Sequence, residues 1–504
     1  MPEFPASRVD AFYADGSWSA DTIADYVARN DPSGIAFHAP EGTFTWREYD
    51  ELSSRLAMSY VDQGFAPGDR LAVLLTGGAL THIAYLAAQK AGLVTVGIGP
   101  RAGDAEIAHL LRKTGAALAT RAEHRGRPGA AIAAACGAHR HVPLDLETLP
   151  AQGLAEARMG PDDLFFLNST SGTTGLPKVV RQTLNNRKYF GPLAHAAGRF
   201  GPDEVVASVL PAPYGFGLWS AHVVPAMYGY PAVLTAEFDA AETLRLIERH
   251  RVTVLCAVTA QFIMMLNSPG FASADLSSLR VMFTGGERVP LARAREFEER
   301  TGCSVLQFYG SNEAGPISVT TVDDPPHSRL TTAGRPIPAM RLRLVGDGQI
   351  SVDGPGCTPG YLDDDVANAA LFRPDGRLLT GDVGAVDADG YLAITGRIAD
   401  FIIRGGHNVS ALVVEEAVAG HPAVAAVAVV AAPDPVLGER ACAYVVTRAP
   451  LTLDDLRTHL DAGGVGKQNW PEHLVELPAL PLGTGGKVDK AALRADAARR
   501  FAQA

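Results

Sequence analysis

Cysteine is scarce and unpatterned in this chain. The five cysteines (Cys136, Cys256, Cys303, Cys357, Cys442) are scattered over 504 residues and form no CxxC pair. Neither a disulfide framework nor a zinc site is expected, and a reduced, cytoplasmic setting fits the count. Positive charge is also in short supply: 44 Lys and Arg stand against 55 Asp and Glu, for a net charge of −11. That excludes a broad nucleic-acid-binding surface, although a local basic pocket for a small anion is compatible with it. Long hydrophobic runs are missing. The most apolar stretch, 71–98, is broken by Gly, Thr, His, Gln and Lys, so no membrane span is expected. Residues 1–16, MPEFPASRVDAFYADG, hold no basic region followed by an apolar run, so no secretory leader is expected either. There is no internal repeat and no long low-complexity tract. What remains is a globular composition, 47% apolar and 20% charged, in a chain too long for one ordinary core, so two or more domains are expected.

The most informative stretch is 164–178, LFFLNSTSGTTGLPK. An apolar run, Leu164 to Leu167, stops at Asn168 and gives way to Ser169, Thr170, Ser171, Gly172, Thr173, Thr174 and Gly175, then to Leu176, Pro177 and Lys178. This is a strand emptying into a loop of small hydroxyls and glycines that ends in a cation. Glycines let backbone N–H groups turn toward an anion, hydroxyls donate to phosphate oxygens, and Lys178 supplies a compact positive charge. A flexible Ser/Thr/Gly linker is the plainer alternative, but an abutting apolar strand and a Pro-Lys end argue against it. The usual nucleotide P-loop does not fit, because Leu-Pro separates Gly175 from Lys178.

Strand and helix signals alternate through the first two thirds of the chain. Residues 43–64 read as a helix, with capping-box spacing between Thr45 and Glu48 and one apolar face of Tyr49, Leu52, Leu56 and Tyr60, stopped by Gly64 and Pro67. A strand at 71–75, a helical run to Gly92 and a strand-like LVTVGIG follow, and the alternation resumes from 164 to about 320. The pattern predicts layered α/β subdomains. After about 330 the texture changes. Residues 341–396 carry short alternating runs punctuated by Gly and Asp, as in an antiparallel β-rich subdomain. The segment GRIADFIIRGGHN, 396–408, reads as a joint, and the last hundred residues as a small α+β unit: a helix from about Ser410, strands 423–430 and 441–446, a helix from Thr452, a turn PLGTGGK and a final Ala/Arg-rich helix. The expected boundary divides residues 1–397 from a small mobile domain, 398–504.

Several further segments have the composition of a site. FTGGERVP places Gly285, Gly286 and Glu287 after a strand, where glycines admit a flat ligand. QFYGSNEAG sets Tyr309, which could stack on a purine, near the carboxylate of Glu313, a group suited to Mg²⁺. TGD at 380–382 puts a carboxylate at a turn, GR at 396–397 offers a fork of donors, and TGGK at 484–487 offers a single lysine. Alone, each has an ordinary reading: a core tyrosine, a turn-forming aspartate, a solvated lysine. Their order and combination are what carry information.

Taken together, STSGTTGLPKVV, GGE, QFYGSNE, the GY at 360–361, TGD, GRIADFIIRGGHNVS and GTGGK resemble the adenylate-forming superfamily of acyl- and aryl-CoA synthetases, peptide-synthetase adenylation domains and beetle luciferases. The resemblance runs from about residue 20 to 495. It implies an enzyme that joins a carboxylic acid to ATP, releases pyrophosphate, and passes the acyl group of the adenylate to a thiol. ATP, Mg²⁺ and coenzyme A are the implied small molecules. By resemblance, Thr170, Ser171, Gly172, Thr173, Thr174 and Lys178 hold the β- and γ-phosphates, and Glu313 binds the metal. Gly285, Gly286, Glu287, Gln307, Phe308 and Tyr309 form the adenine slot. Asp382 takes the ribose hydroxyls, assisted by Arg397. Lys487 bridges the carboxylate and the α-phosphate from the small domain, which then rotates so that Gly405 and Gly406 line the thiol tunnel.

Three positions depart from the pattern. Ala399, followed by Asp400, stands where a hinge residue is usually acidic or Lys. Asn312 stands where Thr usually precedes the metal carboxylate, and its amide could still donate to the α-phosphate. Tyr214 stands where the aromatic gate is often His. The next residue is Gly215, not the Asp of amino-acid activators or the Asn of ortho-hydroxybenzoate activators. With Phe216, Phe262, Gly310, Gly315 and Ile317 as further pocket candidates, the expected substrate is an apolar, possibly bulky acid with no charge to be paired. The thiol is expected to be that of CoA; a carrier-protein phosphopantetheine is the alternative, and a catalytically silent ligand-binding homologue is a third reading.

Overall fold

The computed structural model describes residues 4–170, 177–287, 289–405, 407–483 and 488–501; the side chains of Thr170 and Asn408 also fall outside the description. The chain forms two compact units. The larger holds residues 1–170, 176–342 and 352–378; the smaller holds 171–175, 343–351 and 379–504.

The larger unit contains a nine-stranded and a six-stranded sheet. The nine-stranded sheet runs from Arg335–Pro336 through Gly315–Val319, Ser304–Ser311, Val281–Gly285, Val254–Cys256, Val206–Ser208, Ala232–Leu234 and Ile35–Ala39 to Gly42–Thr45. Its middle pairs are parallel, and its edges are antiparallel. The other sheet runs Lys178–Thr183, Leu164–Thr170, Val94–Gly97, Arg70–Leu74, Ala117–Thr120, His141–Pro143, parallel except for its first pair. Parallel strands buried on both faces read as near-continuous apolar runs. Leu71, Val73, Val96, Phe165, Phe166, Leu167, Val281 and Phe283 are all buried. These sheets and the intervening helices are the layered α/β architecture expected from the alternation.

The helix expected over 43–64 forms as Trp46–Asp62, because Gly42–Thr45 is taken up as an edge strand. Thr45 accepts from the Glu48 backbone N–H at 3.2 Å and the Glu48 carboxylate accepts from the Thr45 N–H at 2.7 Å, the reciprocal capping box. Such a cap contributes about 1 kcal/mol. Tyr49, Leu56 and Tyr60 are buried on the inner face, and Leu52 packs partly buried beside them.

The smaller unit is antiparallel in its first part. Arg343–Val345, Gln349–Val352, Leu378–Val386 and Leu392–Arg397 make a four-stranded sheet. Between its second and third strands the chain passes back through the larger unit, where a helix not expected from the β-rich sequence, Asp365–Leu371, is capped by Asp364 accepting from the Ala367 N–H at 2.9 Å. A five-stranded sheet follows, ordered His407–Ser410, Phe401–Arg404, Gly438–Thr447, Val424–Asp434, with His473–Glu476 also paired to Gly438–Thr447. Helices Ala411–Ala419 and Leu453–Ala462 bury Val414, Val418, Leu456 and Leu460 in the core that also holds Val429 and Ala443. Packing therefore groups the four-stranded sheet with the C-terminal α+β unit, upstream of the 397/398 boundary. Among the described residues no helix is long and apolar enough to cross a membrane.

Candidate active site

In the larger unit, the carboxyl ends of strands from both sheets converge on the turn after Ser304–Ser311. Carboxyl ends of parallel strands are where such sheets bind ligands, since the loops there are free to carry function. Asn168, near the end of Leu164–Thr170, donates from Nδ2 to Asn312 Oδ1 at 3.2 Å. Gln182 Nε2 donates to the Asn312 carbonyl at 3.2 Å, and Arg187 Nη2 donates to the same oxygen at 2.7 Å. Asn312, singled out from sequence as a departure, thus ties Leu164–Thr170 and Lys178–Thr183 to the turn after Ser304–Ser311.

Glu313 follows directly. Its Oε1 accepts from the Tyr361 hydroxyl at 2.8 Å. Its carbonyl accepts from the Thr358 N–H at 2.6 Å, and its own N–H donates to Ser311 Oγ at 3.2 Å. The carboxylate is therefore oriented, with one oxygen held and no hydrogen bond to Oε2 among the described residues. Lys178 Nζ lies 4.9 Å from the centroid of the Tyr361 ring, so the end of the Ser/Thr/Gly loop and Glu313 meet at one tyrosine. Tyr361, quoted from sequence only within a GY pair, is a residue whose place in the site sequence reasoning missed. Among the described residues no cluster of three or more His, Cys, Asp or Glu could hold a metal by itself. A lone oriented carboxylate suits Mg²⁺, which binds through one or two carboxylates and takes its other ligands from phosphates and water.

Gly285 ends a strand parallel to Ser304–Ser311, and a Cβ there would stand 2.6 Å from the Phe308 carbonyl oxygen and 3.0 Å from its ring. Only glycine permits that approach. Gly286 and Glu287 follow it. Gln307 is engaged within the fold, its Nε2 donating to the Arg329 carbonyl at 2.9 Å. Tyr309 lies on the same strand, in register with Ser318. Gly310 and Gly315 lie at the close of the Ser304–Ser311 and Gly315–Val319 pair.

Tyr214 precedes a short helix, Gly215–Leu218, that runs into a π-helical turn, Trp219–Val223. Phe216 and Phe308 meet edge to face at 4.7 Å, and Trp219 packs against Phe190 at 5.2 Å and Phe283 at 5.6 Å. This aromatic group is a wall that the sequence indicated only through Phe216. Ile317 is buried within its strand. Phe262, also expected in the pocket, is fully buried and packs against Phe297 at 5.7 Å.

Arg187 was not singled out from sequence. It sits in the buried helix Leu184–Lys188 and is 8% exposed. Burial draws its guanidinium down to about 10, opposed by the nearby charge of Glu313, which leaves it cationic at neutral pH.

In the smaller unit, Asp382 and Arg397 are register partners on adjacent strands, with Arg397 Nε 3.3 Å from Asp382 Oδ1. A 3₁₀ turn, Ile398–Asp400, follows. Ala399 is exposed. Asp400 pairs with Arg494 and lies 3.6 Å from Lys490 Nζ, which in turn holds Glu415 at 2.7 Å. Gly405 turns with φ +57° and donates to the Leu437 carbonyl at 2.8 Å. Ser171, Gly172, Thr173, Thr174, Gly406, Lys487 and the Thr170 side chain lie outside the described residues.

Comparison with known proteins agrees with the motif order. A family model described as AMP-binding enzyme matches residues 24–362, and one described as AMP-binding enzyme C-terminal domain matches 413–487. The chain is 32% identical to a medium-chain fatty-acid–CoA ligase of Escherichia coli, over 99% of this chain and 94% of that protein. It is also 32% identical to a salicyl-AMP ligase / salicyl-S-ArCP synthetase of Mycobacterium tuberculosis, over 97% and 93%. Among solved structures, o-succinylbenzoate CoA synthetase from Bacillus subtilis is similar with a TM-score of 0.83 in complex with its acyl-adenylate, at 27% identity over 94% of this chain and 98% of that one. The same enzyme with ATP and magnesium gives a TM-score of 0.80.

Proposed function

The chain belongs to the AMP-binding, adenylate-forming enzyme family and is an ATP-dependent, AMP-forming acid–thiol ligase; on that premise we propose that it adenylates a carboxylic acid with an apolar body and transfers the acyl group to the thiol of coenzyme A. The observation that supports the site assignment is the convergence of Lys178, Tyr361 and Glu313, with Asn312 locked beside them, at the carboxyl ends of two sheets.

The chemistry sets the demand. A carboxylate must attack the α-phosphate of ATP, so two anions meet and charge neutralisation dominates the barrier. In this reading the loop 170–178 grips the β- and γ-phosphates, which leave. Gly285 to Glu287 and Gln307 to Tyr309 border the adenine, and Asp382 with Arg397 takes the ribose. Glu313 holds Mg²⁺, which when bound supplies positive charge to the phosphates. Lys487 bridges the reacting carboxylate and the α-phosphate, stabilising charge that grows in the transition state, so its loss lowers rate more than binding. Tyr214 and the aromatic wall around Phe216 enclose the acid.

A lysine over the carboxylate obstructs a thiol. The small domain must therefore move between half-reactions, a closure of the hinge type. Asp400 is held by Arg494 and Lys490 of the C-terminal helix, so it travels with the small domain. This supports Ala399 rather than Asp400 as the pivot, with residues 398–504 as the moving domain and Gly405 and Gly406 presented to the thiol arm. ATP supply and five buried free thiols suit a cytoplasmic workplace.

The carrier-protein alternative has its own support, since one relative is named a salicyl-S-ArCP synthetase. Acid-dependent ATP–pyrophosphate exchange, followed by addition of CoA or a phosphopantetheinyl carrier, tests all three readings. Exchange and an acyl-CoA support the first; transfer only to a carrier supports the second; no exchange over a wide acid panel supports the silent homologue.

A further inference from the structure

Two neighbouring cations, Arg187 and Lys188, are both buried, and they are satisfied very differently. Lys188 Nζ donates to the Ser19 carbonyl, Ser19 Oγ and the Asp21 carbonyl, which is a structural staple. Arg187 has five N–H donors, yet its one hydrogen bond among the described residues runs from Nη2 to the Asn312 carbonyl. Its Nε is buried without a partner there. No carboxylate of the described residues forms an ion pair with it. A buried cation left in this state is expensive unless something else supplies the acceptors.

The position of its tip identifies what could. A Cβ on Gly215 would stand 3.0 Å from Arg187 Nη1 and 2.8 Å from Asn312 Oδ1. The missing side chain at 215 is what gives the guanidinium room. Gly215 directly precedes Phe216, which packs on Phe308, so the cation and the aromatic wall adjoin. Asn312, which Arg187 holds, directly precedes Glu313. Nη1 of the guanidinium thus lies beside Gly215 and close to Asn312, the residue before the carboxylate expected to hold the metal.

We propose that Arg187, admitted by Gly215, binds a second anionic oxygen group carried by the acid within a few atoms of the carboxylate that is activated, so that the substrate is a dianion with an apolar body. This deepens the acid-activation reading and rests on it. The expectation of an apolar acid holds for the body of the substrate, against Phe216, Trp219 and Phe308, and the expectation of no charge to be paired is replaced at one corner. The Nη1 end of the guanidinium, beside Gly215, suits a carboxylate oxygen, and a site built to hydrogen-bond such a group discriminates strongly against an analogue lacking it.

The test compares matched pairs, phthalate with benzoate and succinate with butyrate. It uses pyrophosphate exchange for kcat/KM, and calorimetry with a non-hydrolysable ATP analogue for Kd. The full-length wild type is expected to favour the dianion of each pair by at least about tenfold. Arg187→Met should reduce dianion binding and turnover by at least about tenfold more than it reduces the monoanion values, with Arg187→Lys intermediate. Gly215→Ala, which crowds the guanidinium without removing it, should erode the same preference and serves if Arg187→Met does not fold. A wild-type preference for monoanions overturns the proposal, as does equal loss for both members of a pair in Arg187→Met. Absence of exchange with every acid would sink the activation reading instead; calorimetry then still decides Arg187, and no selective dianion binding overturns the proposal.

Discussion

The two units hold their candidate site residues in opposite ways. In the larger unit, Asn168, Gln182, Arg187 and Asn312 form one interlocked and largely buried network, and Glu313 is oriented from three directions. In the smaller unit, Asp382 and Arg397 face each other on a ribbon, and the joint after them is exposed and secured by ion pairs at Asp400. The contrast teaches a division of labour. A preorganised polar network holds geometry that must not change between half-reactions. An exposed joint with its anchors on one side permits a change of position between them.

The largest expected effect would break the comparison outright. Lys487→Ala should slow adenylate formation by about a hundredfold to a thousandfold, the scale of losing one charge-stabilising donor, yet largely spare thioester formation from supplied acyl-adenylate. Rapid-quench assays of the separate half-reactions check it; equal loss in both would mean that the small unit does not divide its work. Next in size, Phe262→Ala should destabilise the protein by about 3–5 kcal/mol, as deletion of a buried phenyl does, without changing the ranking of acids. Denaturant melts paired with an acid panel check it, and a changed ranking at full stability would return Phe262 to the pocket. Ala399→Pro should slow the thioester step by about tenfold or more and adenylation less, because Pro fixes φ at the proposed pivot. An unaffected thioester step would move the pivot elsewhere.

The smallest effect concerns the rigidity of the larger unit. Burial pushes His82 from 6.5 down to about 3, and His222, stacked on it at 5.7 Å, well below its ordinary value. Unfolded, both histidines bind protons below pH 6.5; folded, they resist doing so. The contribution of His82 is therefore intact above 6.5 and is lost as pH falls from 6.5 toward about 3, at about 1.4 kcal/mol per pH unit; His222 acts in the same direction. His82→Leu should flatten the slope of stability against pH by about one proton in that window, as urea melts at several pH values would read.

Most of the fold was legible because its signals are local. The Thr45–Glu48 box marked the start of a helix, and the alternation of strand and helix signals marked the α/β layers. The upstream strand Gly42–Thr45 and the helix Asp365–Leu371 escaped because neighbouring pairing and a single Asp cap decide them. The site was legible where its motif is contiguous, as at 307–315. Arg187 was not, since its helix Leu184–Lys188 is buried and its hydrogen-bond partner, Asn312, is distant in sequence. Phe262 shows the limit of composition: an aromatic in a candidate pocket stretch also packs against Phe297 in the core, which the sequence could not distinguish.

The most direct test of the account is acid-dependent exchange of labelled pyrophosphate into ATP in the absence of any thiol, followed by addition of CoA. The account predicts exchange before CoA is present, and AMP with acyl-CoA after it is added. Exchange that requires CoA from the outset, or no exchange with any acid, would contradict it.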